Sequence, residues 1–333
     1  MDTMTTEYSP EFQSVMWKAS SFVGTVMIEE KLVEVLGDSR GTVRDICFHI
    51  LNAGGKRVRP LLVWYSGLMF GTDSEDLIRT AVAVELIHMA SLIHDDIIDG
   101  AEIRRNRPTV QKKWGNHRAV LGGDYLFAKS FGLLADSGLL KPLGIMVRAV
   151  QDMCQGEISQ DEDQFNPKVS RECYYDRITK KTAVLLEASC KAGALVGGAS
   201  EQQTESIGRF GLNLGLAFQI IDDILDLCGD ESKMGKPKYT DLIKGNLTLP
   251  IFLLMEQPQY REWLLGVLEG QDLSQRTLAE IEGAVKKSGV MRQAFQIGVS
   301  HLGQARGILG EFPESLARQF MENLTYMLEA RAN

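Results

Sequence analysis

Two aspartate clusters, Asp95-Asp96-Ile97-Ile98-Asp99 and Asp222-Asp223-Ile224-Leu225-Asp226, share the spacing DDxxD. On an α-helix the first and fifth positions stack on one face, one turn apart. Asp95 with Asp99, and Asp222 with Asp226, can therefore each chelate a hard cation. Oxygen-only ligands point to Mg²⁺, which keeps several waters and bridges to phosphate. The competing explanation is a solvated acidic face. Both clusters end long apolar stretches, where such a face is not expected.

Basic groups recur near these clusters. In Gly54-Gly55-Lys56-Arg57-Val58-Arg59-Pro60, two glycines let the backbone approach a ligand, and three cations in four residues suit a diphosphate. Arg104-Arg105-Asn106-Arg107 follows the first aspartate cluster and can clamp the same phosphate from another side. Lys180-Lys181-Thr182 precedes a small, apolar helical run, and Lys236 and Lys244 flank Asp241 just after the second cluster. Each basic element alone is compatible with a solvated surface; their order beside the aspartates gives them weight.

The elements that must position these groups are helical. Proline-free stretches run between Pro60 and Pro108 and between Pro167 and Pro237, with apolar residues at three- and four-residue spacing and no period-two alternation. The pattern predicts helices at about 11–36, 42–52, 58–70, 75–98, 117–137, 140–165, 170–198, 202–228, 246–256, 273–288, 289–309 and 314–330. Asp73 or Ser74 would cap the fourth and Ser170 the seventh. The expected architecture is all-α: one large helical bundle forming a single domain over residues 1–333. Residues 77–98 are apolar nearly all round, apart from a stripe of Glu85, His88, Ser91, Asp95 and Asp99. Residues 202–228 repeat this with Gln219, Asp222, Asp223 and Asp226. Buried carboxylates are costly unless paired or metal-bound, so two such stripes facing each other would line a central deep cavity.

The chain has 333 residues, 44% hydrophobic and 24% charged, with net charge −8. That balance excludes collagen-like, disordered and disulfide-scaffold classes and argues against a nucleic-acid partner held by bulk charge. Five scattered cysteines without a CxxC pair read as reduced thiols, and the start of the chain lacks a basic, then apolar, leader. A cytoplasmic location is expected, with at most peripheral membrane contact.

In order along the chain stand GGKRVRP, ELIHMASLIHDDIID, RRNRPT, Gly122-Gly123-Asp124, Gly156-Glu157, KKTA, FQIIDDILD and GKP…TDL…GNLTLP. Together they resemble the trans-polyprenyl diphosphate synthases, head-to-tail isoprenyl transferases of the farnesyl diphosphate synthase family. The resemblance implies an isoprenoid-synthase bundle, typically a homodimer with three Mg²⁺. It implies that Lys56, Arg59 and His88, with Arg105, hold isopentenyl diphosphate. It implies that Arg104, Lys181, Thr182, Gln219, Lys236 and Lys244 hold an allylic diphosphate. Asp95, Asp99 and Asp222 resemble the principal metal ligands, with Asp96, Asp223 and Asp226 in support. The family often has glycine where Asn106 and Tyr239 stand, and the single arginine of the C-terminal residues 330–333 makes a basic closing tail doubtful.

The implied chemistry is ionisation of an allylic diphosphate, attack by the alkene of isopentenyl diphosphate, and proton loss, with the released diphosphate as base. Metal and cations stabilise the departing charge. His94 precedes the cluster, but its side chain points about 100° from Asp95 and is not expected to be a ligand. A terpene cyclase would usually mix Asn, Ser and Glu in its second metal site, and a regulatory subunit of a heteromeric synthase would tend to lose aspartates. No EF-hand pattern is present, which argues against a calcium-binding structural protein. Family members often carry bulky residues four or five positions before the first aspartate. Here Ala90 and Ser91 leave that path open, which implies a product longer than twenty carbons, between thirty and forty-five. Leu86, Ile87 or Phe131 would then form the floor. The alternative is a short-chain farnesyl or geranylgeranyl synthase.

Overall fold

The computed structural model describes residues 10–71, 74–228 and 238–331, with side chains from Val23 onward. The helices are α1 Pro10–Gly37, α2 Gly41–Leu51, α3 Val58–Leu68, α4 Glu75–Ile98, α5 Val110–Trp114, α6 Asn116–Asp136, α7 Leu140–Glu162 and α8 Arg171–Ile178. They continue as α9 Val184–Val196, α10 Glu201–Cys228, α11 Thr240–Ile243, α12 Leu249–Met255, α13 Pro258–Gly270, α14 Gln275–Ser288, α15 Val290–Leu309 and α16 Leu316–Arg331. Among the described residues the only sheet is a two-residue antiparallel ladder, β1 Ile103–Arg104 with β2 Arg107–Pro108. The all-α expectation holds.

The residues group into two compact units. One takes the chain up to Leu143 with Gly193–Gly198 and Ser315–Phe320; the other takes Gly144–Ala192, Ala199–Glu314 and Met321 onward.

In the first unit α4 is the core. Ser74 caps it by accepting from Leu77 N, and Glu75 and Asp76 complement the helix dipole. Leu77, Val82, Leu86, Ile87 and Ile93 are all fully buried. On α6, Ser130 Oγ donates to Ala83 O at 2.8 Å. At Gly123 a Cβ would lie 2.2 Å from His94 Nε2, so only glycine lets α6 approach this closely. Among the described residues, α4 is the one helix long and apolar enough to cross a membrane, and 67% of that apolar window is buried in the protein, as in a core helix.

The second unit is built on α10 packed along α15, with Ile220, Leu249, Ile251, Leu254, Ile281 and Val290 buried between helices. The predicted helix at 170–198 is divided here. A π-helical turn, Thr179–Ala183, lies between α8 and α9. It is seated between two glycines: a Cβ at Gly156 would lie 2.8 Å from Lys180 Cβ, and one at Gly215 2.5 Å from Ala183 Cα. The extra residue of a π turn has no periodicity signal, which is why the pattern read as one helix.

Other differences have local causes. The helix expected at 246–256 begins at Leu249, after an extended Thr248, because Pro250 fits only its first turn. Pro258 opens α13, in the stretch between 256 and 273 where no helix was expected. The loop expected over 99–116 contains the hairpin and α5. Asp73 lies outside the described residues.

Candidate active site

The first aspartate cluster ends α4. Asp95 is half-buried and Asp99 exposed, one turn further along. Asp96 turns into the protein, 2% exposed, and its Oδ1 accepts from Arg104 Nε at 2.8 Å. Burial raises the Asp96 carboxyl above its ordinary value, and Arg104 opposes that rise. Gln111 Nε2 donates to Asp96 O at 2.6 Å, and Thr109 Oγ1 to Ala101 O at 2.7 Å. These bonds tie the hairpin to the end of α4. Its loop has Arg105 at φ +51° and Asn106 at φ +60°, the left-handed pair that a tight two-residue hairpin requires.

The basic loop before α3 divides its cations between two tasks. Arg57, 4% exposed at φ +49°, pairs at 2.6 Å with both Glu29 Oε1 and Glu85 Oε1. It anchors the loop and consumes Glu85 of the α4 stripe. Lys56 is exposed and Arg59 half-buried. Arg59 Nη1 lies 3.3 Å from His88 Nε2, while its buried Nε has no hydrogen-bond partner among the described residues. Burial lowers the pKa of Arg59 and Arg105 further reduces it, against the pull of Glu85 and Asp95. Burial, then the charges of Arg59, Arg105, Arg104 and Arg57, hold the His88 pKa well below its usual value, so the ring is neutral and Nε2 can accept from Arg59. A Cβ at Gly55 would lie 3.0 Å from Arg105 Nη1, so the loop and hairpin meet there. Lys56, Arg59, Arg105 and neutral His88 thus form a cationic patch fit for a multiply charged anion. Ala90 is fully buried; Ser91 is half-buried, and its Oγ donates to His88 O at 2.9 Å. His94 Nε2 contacts Val120 O at 3.2 Å, away from the cluster.

In the second unit Asp222 is half-buried on α10, with Arg331 Nη2 3.5 Å from its Oδ1. Asp223, 3% exposed, accepts from Tyr174 OH at 2.7 Å and Gln219 Nε2 at 2.9 Å. Burial, with help from Asp241, pushes the Asp223 carboxyl up to about 7. Thr182 Oγ1 donates to Gln219 Oε1 at 2.7 Å. Lys181 Nζ pairs with Glu157 Oε2 at 2.6 Å and donates to Gln160 Oε1 at 3.1 Å.

Asp226 departs from its counterpart Asp99. It is fully buried; Oδ2 accepts from Asp241 N at 3.2 Å, and its backbone oxygen from Tyr239 N at 3.0 Å. It anchors the chain entering α11, where Tyr239 adopts φ +60°. Lys244 follows α11, half-buried; Lys236 lies outside the described residues. Sequence reasoning missed Tyr174, an aromatic residue with core-like neighbours, and saw in Arg331 only a lone terminal charge.

The polyprenyl synthetase family model matches residues 41–285, which include both clusters and every basic motif. The chain belongs to that family. The chain is 36% identical over 304 residues to heptaprenyl diphosphate synthase component 2 of Geobacillus stearothermophilus, covering 91% of this chain and 94% of that one. It is also 36% identical over 300 residues to a short chain isoprenyl diphosphate synthase of Methanothermobacter thermautotrophicus, covering 88% and 92%. Among solved structures, the heptaprenyl diphosphate synthase of Staphylococcus aureus superposes with TM-score 0.88 at 32% identity, over 94% of this chain and 99% of that chain.

Proposed function

We propose that the enzyme condenses isopentenyl diphosphate with an allylic diphosphate head to tail, by ionisation, condensation and elimination, to products of thirty to forty-five carbons. The observation that carries this reading is the buried Arg59 Nε without a protein acceptor, beside neutral His88 and Arg105 and within electrostatic reach of Asp95. A buried guanidinium N–H lacking an acceptor is costly unless a ligand supplies one.

Mg²⁺ fits the donors. Both clusters offer only oxygen, and Asp95, Asp99 and Asp222 are the carboxylates that reach solvent. Mg²⁺ is held by one or two carboxylates and completes its shell with water and phosphate oxygen, which suits such a donor set. We assign three Mg²⁺ to the enzyme, with Asp95, Asp99 and Asp222 as ligands. Bound there, Mg²⁺ supplies Lewis-acid stabilisation of the charge on the departing diphosphate.

The chain's own groups do the rest. Lys56, Arg59, Arg105 and His88 hold isopentenyl diphosphate. Arg104, Lys181, Thr182, Gln219, Lys236 and Lys244 hold the allylic diphosphate, and the cations stabilise its charge as the C–O bond breaks. The proton lost after condensation passes to the released diphosphate.

A homodimer is the proposed assembly. It is supported by Val120 and Leu121 on α6, exposed at 42% and 53%. A second reading comes from the Geobacillus relative, whose name makes it one component of a synthase. One experiment tests all of this. The purified chain alone, checked for mass by light scattering, is incubated with labelled isopentenyl diphosphate, each allylic starter and Mg²⁺. Dephosphorylated products are then separated by chromatography. Products beyond twenty carbons support the reading; products of twenty or fewer overturn its length, and activity only with a partner protein overturns its self-sufficiency.

A further inference from the structure

We infer that Tyr174 is a positioning residue of this reaction, its hydroxyl holding Asp223 so that Asp222 and the Lys181–Thr182 pair stay in register. The inference rests on the function proposed above.

Tyr174 is fully buried, with Arg177 Cζ 5.5 Å from its ring centre and the Phe252 ring 5.8 Å away. A phenylalanine would fill that packing equally well. The hydroxyl therefore serves its one partner, Asp223 Oδ2, at 2.7 Å. The other Asp223 oxygen is taken by Gln219 Nε2 at 2.9 Å, and Gln219 Oε1 by Thr182 Oγ1 at 2.7 Å. Tyr174 and Thr182 belong to one continuous segment, α8 and the π turn. Gln219 and Asp223 lie one turn apart on α10. The four side chains thus close a circuit that fastens the segment to α10 at two points.

What the circuit orients is next to it in sequence. Asp222 adjoins Asp223 and keeps its carboxylate toward solvent. Lys181 adjoins Thr182 within the π turn, Thr179–Ala183. Rotation of α10 or slippage of the turn would misdirect both groups together. Tyr174 acts through Asp223 rather than on the substrate.

The test uses the full-length chain with Tyr174→Phe, which removes one oxygen and keeps the ring. Two measurements are made beside wild type: free Mn²⁺ titrated by electron paramagnetic resonance with inorganic diphosphate present, and steady-state kinetics. Loss of one buried hydrogen bond to a carboxylate predicts a weakening of Mn²⁺ binding and a rise in the allylic KM of about fivefold each. The KM for isopentenyl diphosphate should move less than about twofold, because its grip lies on other elements. Gln219→Leu breaks the same circuit at its other link and should weaken Mn²⁺ binding likewise, while its allylic KM also loses the direct contact of Gln219. Unchanged Mn²⁺ binding in both variants, or an equal rise in both KM values, would overturn the inference. A wild-type chain that makes no product would instead refute the proposed function, while the Mn²⁺ titration would still decide the role of Tyr174.

Discussion

Arg331 Nη2 stands 3.5 Å from Asp222 Oδ1, at the last described turn of α16, with its guanidinium 5.8 Å from the Phe218 ring one turn earlier on α10. Arg306 keeps this helix end in place through Glu329 at 2.8 Å and the Tyr326 ring at 4.7 Å. A single terminal arginine, which made a basic closing tail doubtful in the sequence, is thereby delivered to the solvent-facing carboxylate of the second cluster. Side-chain exposures of 39% and 36% make the pair worth less than about 1 kcal/mol of stability. Arg331→Ala should leave Tm nearly unchanged and lower kcat about fivefold, by removing a cation beside the departing diphosphate. Steady-state kinetics beside a melting curve check this; wild-type kcat in the variant would reduce the pair to a surface contact.

The two DDxxD clusters should respond differently to alanine. Asp95→Ala and Asp222→Ala remove half-buried carboxylates. They should lower kcat about a thousandfold with Tm preserved. Asp226→Ala instead frees the Asp241 N–H and empties a fully buried position. It should cost about 1–3 kcal/mol of stability. Denaturant titrations of the three variants separate the roles, and equal stability in all three would put Asp226 back beside Asp222 as a ligand.

His88 supplies a pH dependence. Its folded pKa lies well below the unfolded value because of burial and the surrounding guanidiniums. The unfolded chain therefore binds the proton first as pH falls. Stability from this site is complete above about pH 6.5 and declines below it, by up to about 1.4 kcal/mol at pH 5.5. In His88→Gln the loss between pH 7.5 and pH 5.5 should be smaller by that amount. Urea unfolding at the two pH values measures the difference, and parallel losses in both proteins would show that the histidine titrates normally.

Helix identity, the long α4 and α10, and the two carboxylate clusters were legible because a 3.6-residue period and a four-residue step are properties of neighbouring residues. Surroundings were not. Asp99 and Asp226 occupy identical places in identical motifs, yet one is exposed and the other wholly enclosed by the chain entering α11. Arg57 looked like a third phosphate cation, and Glu29 and Glu85 claim it from distant positions. The departures at Asn106 and Tyr239 both fall at left-handed backbone, φ +60° in each case, which accounts for glycine at such places without any change of chemistry. Asparagine tolerates that conformation; at Tyr239 the strain is offset by a ring that is only 7% exposed.

Product length turns on which side of α4 carries a bulky group. A helix advances 100° per residue, so Ser91 lies about 40° from Asp95 and Ala90 about 140° from it. The structure agrees: His88, Ser91, Leu92 and Asp95 form a half-buried stripe, whereas Ala90 is fully enclosed. Ser91 stands about 6 Å before Asp95 along the axis. A chain growing back from the diphosphate along this stripe passes Leu92 and then Ser91 within about one turn of Asp95. Ser91→Tyr places its ring on that half-buried stripe rather than in the enclosed core, and should shorten the product to fifteen or twenty carbons with Tm held within a few degrees. Ala90→Tyr forces a ring into packed surroundings. It should also shorten the product, but with about 1–3 kcal/mol of lost stability from overpacking. Chromatography of dephosphorylated products, beside melting curves for both variants, gives the answer. If Ala90→Tyr shortens the product at no cost in stability while Ser91→Tyr leaves its length unchanged, the growing chain follows the Ala90 side of α4, and the half-buried stripe serves the diphosphates alone.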